Sequence, residues 1–144
     1  MTKLKEIMTT DVITVNENQT VQEAAELMSR YNIGAIPVVN NDGKITGIVT
    51  DRDITLRTTA QGENPQTPVS EVMTAQKIVK ATPDMNVDQA AELMAEQQIR
   101  RLPVVENGEI IGMVSLGDLA VQHQFADEAG EALQNISIPS APQK

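Results

Sequence analysis

Ala24-Ala25-Glu26-Leu27-Met28 returns letter for letter as Ala90-Ala91-Glu92-Leu93-Met94, and this repetition decides how the rest of the 144-residue chain is read. Working outward, Met8-Thr9 matches Met73-Thr74, and Pro37-Val38-Val39 matches Pro103-Val104-Val105. Gly43, Ile45, Gly47, Val49 and Asp53 find Gly108, Ile110, Gly112, Val114 and Asp118. The segment from about Ile7 to Ile54 therefore recurs from about Val72 to Leu119, with one extra residue near Pro83 and one fewer in the later turn. A repeat of this length marks one supersecondary unit used twice.

Each copy reads as the same string of elements. Val12-Ile13-Thr14-Val15 predicts a short strand, and Thr20-Val21-Gln22-Glu23 a capping box that opens a helix at Val21. Val21, Ala24, Ala25, Leu27, Met28 and Tyr31 follow the 3.6 period, so that face is expected to be buried. Asn86 caps the second copy, with Gln89 three residues on, and the Ala pairs allow a close approach to a sheet. Two strands follow in each copy, Ala35 to Asn40 and Ile45 to Thr50, then Leu102 to Glu106 and Ile110 to Ser115. They are joined by Asp42-Gly43 and Asn107-Gly108, residues that supply the positive φ of tight hairpins. Second helices are expected from near Asp51, ending around Gly62, and from near Leu116.

A three-stranded sheet with helices on one face leaves the other face bare. The expected fold class is thus α+β, with two pseudo-symmetric βαββα repeats packed sheet to sheet as one globular module. The expected boundaries are 1–61 for the first repeat, 62–68 for a Pro-containing linker and 69–125 for the second repeat. Residues 126–144 read as a C-terminal helical stretch and flexible tail.

Composition narrows function. A formal net charge of -9 and an aromatic content of 1% disfavour nucleic-acid binding, which draws on clustered Lys and Arg and on stacking rings. No cysteine is present, so thiolate metal sites, disulfides and Cys nucleophiles are excluded. No apolar run has signal-peptide or membrane-span length, which points to a cytoplasmic protein without a membrane partner. His123 is the single histidine, and it lacks companions for a metal site or a catalytic triad. The seven methionines read as adaptable core filler. Asp127, Glu128 and Glu131 read as a solvated helix face, because the alternating oxygens of a calcium loop are missing. There is no Walker-type phosphate loop.

Chemistry concentrates where each hairpin closes, in Gly47-Ile48-Val49-Thr50-Asp51-Arg52-Asp53 and Gly112-Met113-Val114-Ser115-Leu116-Gly117-Asp118. Both read G-h-h-[ST]-x-x-D. One reading is a helix cap, a hydroxyl followed three residues later by an acid. The other is a ligand corner, in which the hydroxyl and helix start face an anionic or hydroxyl-rich ligand and the carboxylate accepts from a sugar diol. Repetition alone does not choose, since duplication copies caps too.

The combination of the Met-Thr opening, the Ala-rich capped helix, the x-Pro-Val-Val strand and the G-h-h-[ST]-x-x-D close resembles a tandem pair of cystathionine-β-synthase-type (CBS) domains over roughly Leu4 to Val121. The resemblance implies a regulatory fold, without catalytic residues, that binds adenosine-containing ligands in clefts between the repeats. Carried onto this sequence, one site would combine Thr50 and Asp53 with Thr74, Ile78 and Val79, and with Ile99, Arg100 and Arg101. The second would combine Ser115 and Asp118 with Thr9, Ile13 and Thr14, and with Ile33, Gly34 and Ala35. Arg100, Arg101 and Arg52 offer planar, permanently charged donors suited to phosphate, or else serve as surface partners of an acidic chain. The Thr50/Asp53 cleft is accordingly expected to take the nucleotide.

The expectation is a sensor that requires no cofactor or metal and takes AMP, ADP, ATP or a related adenosine compound as regulatory ligand. It would signal through conformational change or homodimerisation to an unidentified protein target. The alternative is a ligand-free protein-interaction or dimerisation module in which both motifs are only caps. An enzyme acting on nucleotides is disfavoured, because no general base, metal cluster or nucleophile accompanies the motifs.

Overall fold

The structure, a computed structural model, describes residues 2–76 and 78–121. The expected 126–144 tail, along with His123, Asp127, Glu128 and Glu131, lies outside them. The α+β class and the two repeats are as expected. The first repeat contains β1 (Val15–Asn16), α1 (Val21–Tyr31), β2 (Ala35–Val39), β3 (Ile45–Thr50) and α2 (Asp51–Arg57). The second contains α3 (Val87–Gln97), β4 (Arg101–Glu106), β5 (Glu109–Ser115) and α4 (Leu116–Val121). Strands β1, β2 and β3 form a three-stranded sheet in that order, with β1 parallel and β3 antiparallel to β2. In the second repeat β4 and β5 pair, and the counterpart of β1 is a single parallel bridge from Ala81 to Val104.

Several local details differ from the sequence reading. The first strand is shorter than Val12–Val15, because the pairing begins only where Val15 stands opposite Val38. Thr20 accepts from the Glu23 amide at 3.1 Å, but the Glu23 carboxylate accepts from Gln19 Nε2 at 2.7 Å, so half of the expected box forms. Asn86 and Gln89 complete theirs, at 2.9 and 3.1 Å. On α1, Val21, Ala24 and Met28 are buried, whereas Ala25 is exposed and Tyr31 is 48% exposed, so the buried stripe is narrower than the periodicity suggests. Both helices stop at a left-handed residue, Asn32 and Gln98, each at φ 54°.

The two hairpin turns also differ. Asn107 and Gly108 both take positive φ, 54° and 81°, as the Asn-Gly pair predicts for a type I′ turn. In the first turn only Gly43 does, at 79°. There the Asn40 side chain accepts from the amides of Asp42 and Lys44 at 2.9 and 3.0 Å, so an Asn-centred loop replaces the two-residue turn.

By contact the described chain divides into two units, and neither is a continuous stretch of sequence. One holds residues 2–12, 79–107 and 111–121; the other holds 13–76, 78 and 108–110. In the first of these units the core is Leu4, Ala81, Val87, Ala90, Ala91, Met94, Leu102, Val104, Val114, Leu116 and Leu119. Leu4 is fully buried there, and its amide donates to Met85 O at 2.9 Å while Lys5 N donates to Pro83 O at 3.1 Å. In the other unit the core is Val15, Val21, Ala24, Met28, Ile36, Val38, Val49, Val69 and Val72. Val69 N donates to Gln19 O at 2.7 Å and Ser70 N to Glu17 O at 3.0 Å. Thus the segment preceding each repeat in sequence, 2–9 or 69–74, forms a strap that completes the core of the other repeat.

Candidate ligand corners

In the unit holding the first repeat, Ala35 stands opposite Thr50 across the β2–β3 pair, and Asp51 N donates to Gly34 O at 3.0 Å. The pre-proline segment Ile33, Gly34, Ala35 thus borders the Thr50 motif of its own repeat. Thr50 Oγ1 accepts from Asp53 N and Asp53 Oδ2 accepts from Thr50 N, both at 3.0 Å. This cap uses one carboxylate oxygen. The other, Oδ1, lies 3.9 Å from Arg57 Nε, while Arg57 Nη1 donates to Val72 O at 3.0 Å. Asp53 is held with its side chain 14% exposed, and Thr50 keeps a hydroxyl hydrogen to donate.

Asp51 and Gly34 are matched in shape. A Cβ on Gly34 would lie 3.1 Å from Asp51 Oδ2, so the glycine leaves room for that carboxylate. Asp51 Oδ1 in turn accepts from Arg52 N at 2.8 Å. Thr74 lies on the strap beside β3, where its amide and carbonyl exchange hydrogen bonds with Ile48 at 2.9 and 3.0 Å. Ile13, Thr14 and Ile78 belong to the same unit and are half-buried.

The second repeat reproduces the corner within its own unit. Ser115 N donates to Asp118 Oδ2 at 2.8 Å, Asp118 N donates to Ser115 Oγ at 3.1 Å, and Leu116 N donates to Arg100 O at 3.0 Å. Thr9 exchanges two 2.9 Å hydrogen bonds with Met113, as Thr74 does with Ile48. Ile99 and Val79 pack against the core, whereas Arg100 and Arg101 are exposed.

Of the expected groupings, the structure therefore brings Thr50 and Asp53 into one unit with Thr74 and Ile78, and Ser115 and Asp118 into one unit with Thr9. Val79, Ile99, Arg100 and Arg101 belong to the unit of Ser115; Ile13, Thr14, Ile33, Gly34, Ala35 and Arg52 belong to the unit of Thr50. One neighbour went unnoticed in the sequence, Arg57, although its i,i+4 spacing to Asp53 made the pair legible. Gly34 and Arg100 were named, but that their carbonyls accept from Asp51 N and Leu116 N follows only from counting the hairpin register back from its turn. Among the described residues no group of three or more His, Cys, Asp or Glu side chains could hold a metal ion, and no helix is long and apolar enough to cross a membrane.

Two βαββα repeats, each closing on a hydroxyl–carboxylate corner, define a tandem CBS pair. The family model described as CBS domain matches residues 4–57 and 69–121, and the chain belongs to that family. It is 55% identical over 137 residues to the CBS domain-containing protein YhcV of Bacillus subtilis strain 168, covering 95% of this chain and 96% of that one. Among solved structures, Hypoxic Response Protein I with two coordinated zinc ions aligns with a TM-score of 0.76 at 31% identity, over 85% of this chain and 99% of that one. The CBS domain pair of protein MJ0100, in complex with 5'-methylthioadenosine and S-adenosyl-L-methionine, aligns with a TM-score of 0.73 at 31% identity, over the same shares of the two chains.

Proposed function

We propose that this CBS pair is a regulatory module that binds an adenosine-containing ligand and carries out no chemical step. The observation that carries the reading is the duplicated corner. In each repeat a hydroxyl, a half-used carboxylate and a pre-proline backbone segment converge, as recognition of a ribose and a purine edge requires. The MJ0100 pair, a structural neighbour, is held in complex with two adenosine compounds, which supports that ligand class.

In this reading Asp53 and Asp118 accept from the ribose diol, and Thr50 and Ser115 donate alongside them. Thr9 and Thr74 add polar contacts from the straps. The apolar residues Ile13, Ile33, Ile78, Val79 and Ile99 flank the base, with Thr14, Gly34 and Ala35 presenting backbone. Arg52, Arg100 and Arg101 supply guanidinium donors for a phosphate. AMP, ADP and ATP are the expected ligands, in the cytoplasm where such compounds are made and consumed. The output is a shift in conformational population read by a second copy of the chain or a protein target. Leu56 and Val121, 45% and 77% exposed, stand three residues after Asp53 and Asp118 and offer matching apolar positions for self-association.

The second reading, a ligand-free interaction module, is favoured by the completeness of both capping boxes, each of which satisfies itself without a ligand. A thermal-unfolding screen against AMP, ADP, ATP, S-adenosylmethionine and NAD separates the two. A ligand that binds only the folded chain at 100 times its Kd adds about 2.7 kcal/mol and raises the midpoint by several degrees. No rise with any of the five favours the interaction module.

A further inference from the structure

The two straps are seated on the hairpins by methionines. In the unit of the first repeat Met73 lies directly over Gly47, where a Cβ would meet the Met73 sulfur at 2.6 Å and the Thr74 carbonyl oxygen at 3.0 Å. In the other unit Met8 lies over Gly112, with its sulfur closer still and the Thr9 carbonyl oxygen at 3.1 Å from such a Cβ. The thioether thus occupies the space that a glycine leaves, immediately before the threonine that exchanges hydrogen bonds with the strand. Met8 and Met73 are half-buried, as are Met85 and Met113, and are therefore more accessible than Met94, which is fully buried, and Met28, which is 8% exposed.

We propose that Met8 and Met73 are paired oxidation sites, and that converting them to sulfoxides releases each strap from its hairpin. The oxidant is a hydroperoxide such as hydrogen peroxide. The thioether sulfur attacks one peroxide oxygen, the O–O bond breaks, an S–O bond forms and water leaves with both peroxide protons. The sulfur loses two electrons and the peroxide gains them. The added oxygen makes the side chain polar and larger in a seat that has no room beyond the glycine Cα, and the local chain must lift to solvate it. The same straps carry Thr9 and Thr74, so oxidation also disturbs the proposed ligand corners; that consequence alone rests on the adenosine reading.

The test treats the full chain with hydrogen peroxide, maps sulfoxides by peptide mass spectrometry and measures backbone hydrogen exchange, with no ligand present. Oxygen is expected on Met8 and Met73 before Met28 and Met94. Exchange at the Thr9, Ile48, Thr74 and Met113 amides is expected to rise at least about tenfold, and to return after treatment with methionine sulfoxide reductases. A Met8→Leu/Met73→Leu variant, similar in apolar volume, keeps its protection under the same treatment even when Met85 and Met113 are oxidised. The proposal fails if Met8 and Met73 stay reduced while Met85 and Met113 react. It fails equally if their oxidation leaves strap exchange unchanged, or if the double variant loses protection as readily as the native chain.

Discussion

Asp84 shows how a single side chain ties a strap to the repeat it completes. Lys5 Nζ lies 3.3 Å and Lys3 Nζ 3.6 Å from Asp84 Oδ1, and the Lys5 hydrogen bond, then the Lys5 and Lys3 charges, hold the Asp84 carboxyl below its ordinary range. A carboxyl whose folded pKa is depressed contributes stability above its unfolded pKa and loses it as pH falls through the folded value. An acid titration of the native chain and of Asp84→Asn should therefore show the native advantage disappearing below the ordinary aspartate range. Exposure of the group keeps that advantage small and sensitive to salt. An advantage that instead grows on acidification would contradict the assignment. Asp53 is set differently, since its carboxylate is shared between a helix cap and the Arg57 side.

Among the elements, the straps make the most specific demand. Leu4 lies in a short 3-10 turn, Leu4–Glu6, yet is fully buried among residues of α3, β4, β5 and α4. Truncating it leaves a cavity in that core, and Leu4→Ala should cost about 3 kcal/mol of unfolding free energy, read as a lower urea midpoint at unchanged slope. A loss below about 0.5 kcal/mol, typical of a surface site, would show that the strap does not belong to the core. The helices and hairpins were legible from the repeat spacing, because local periodicity and turn residues place them, but α2 ends at Arg57 rather than around Gly62 and the first turn is an Asn40-centred loop. The destination of the straps was not, since a Leu or Val in a short polar segment carries no signal of which core it enters. The same limit shortened β1, whose extent depends on pairing with Val38 and Val39 rather than on its own β propensity. The hydroxyl and carboxylate of each corner were legible as a helix cap, and the cap forms in both repeats; the proposed ligand contact uses the same groups.

At the scale of the whole molecule, each unit draws chain from both halves of the sequence. A substitution near the N-terminus is consequently felt in the second repeat, and one in residues 69–74 in the first. The chain carries a formal charge of -9, and Arg52, Arg100 and Arg101 are among its exposed cationic side chains. The corners themselves carry the central claim, that an adenosine compound is recognised through Asp53 and Asp118. Calorimetric titration of AMP and S-adenosylmethionine tests it most directly, comparing the native chain with Asp53→Asn/Asp118→Asn, in which the amide oxygen preserves the cap while the charge is removed. The account predicts saturable binding of at least one compound to the native chain and at least about tenfold weaker binding to the variant, with the urea midpoints of the two proteins close together. Absence of binding heat with either compound, or equal affinity in both proteins, would contradict it.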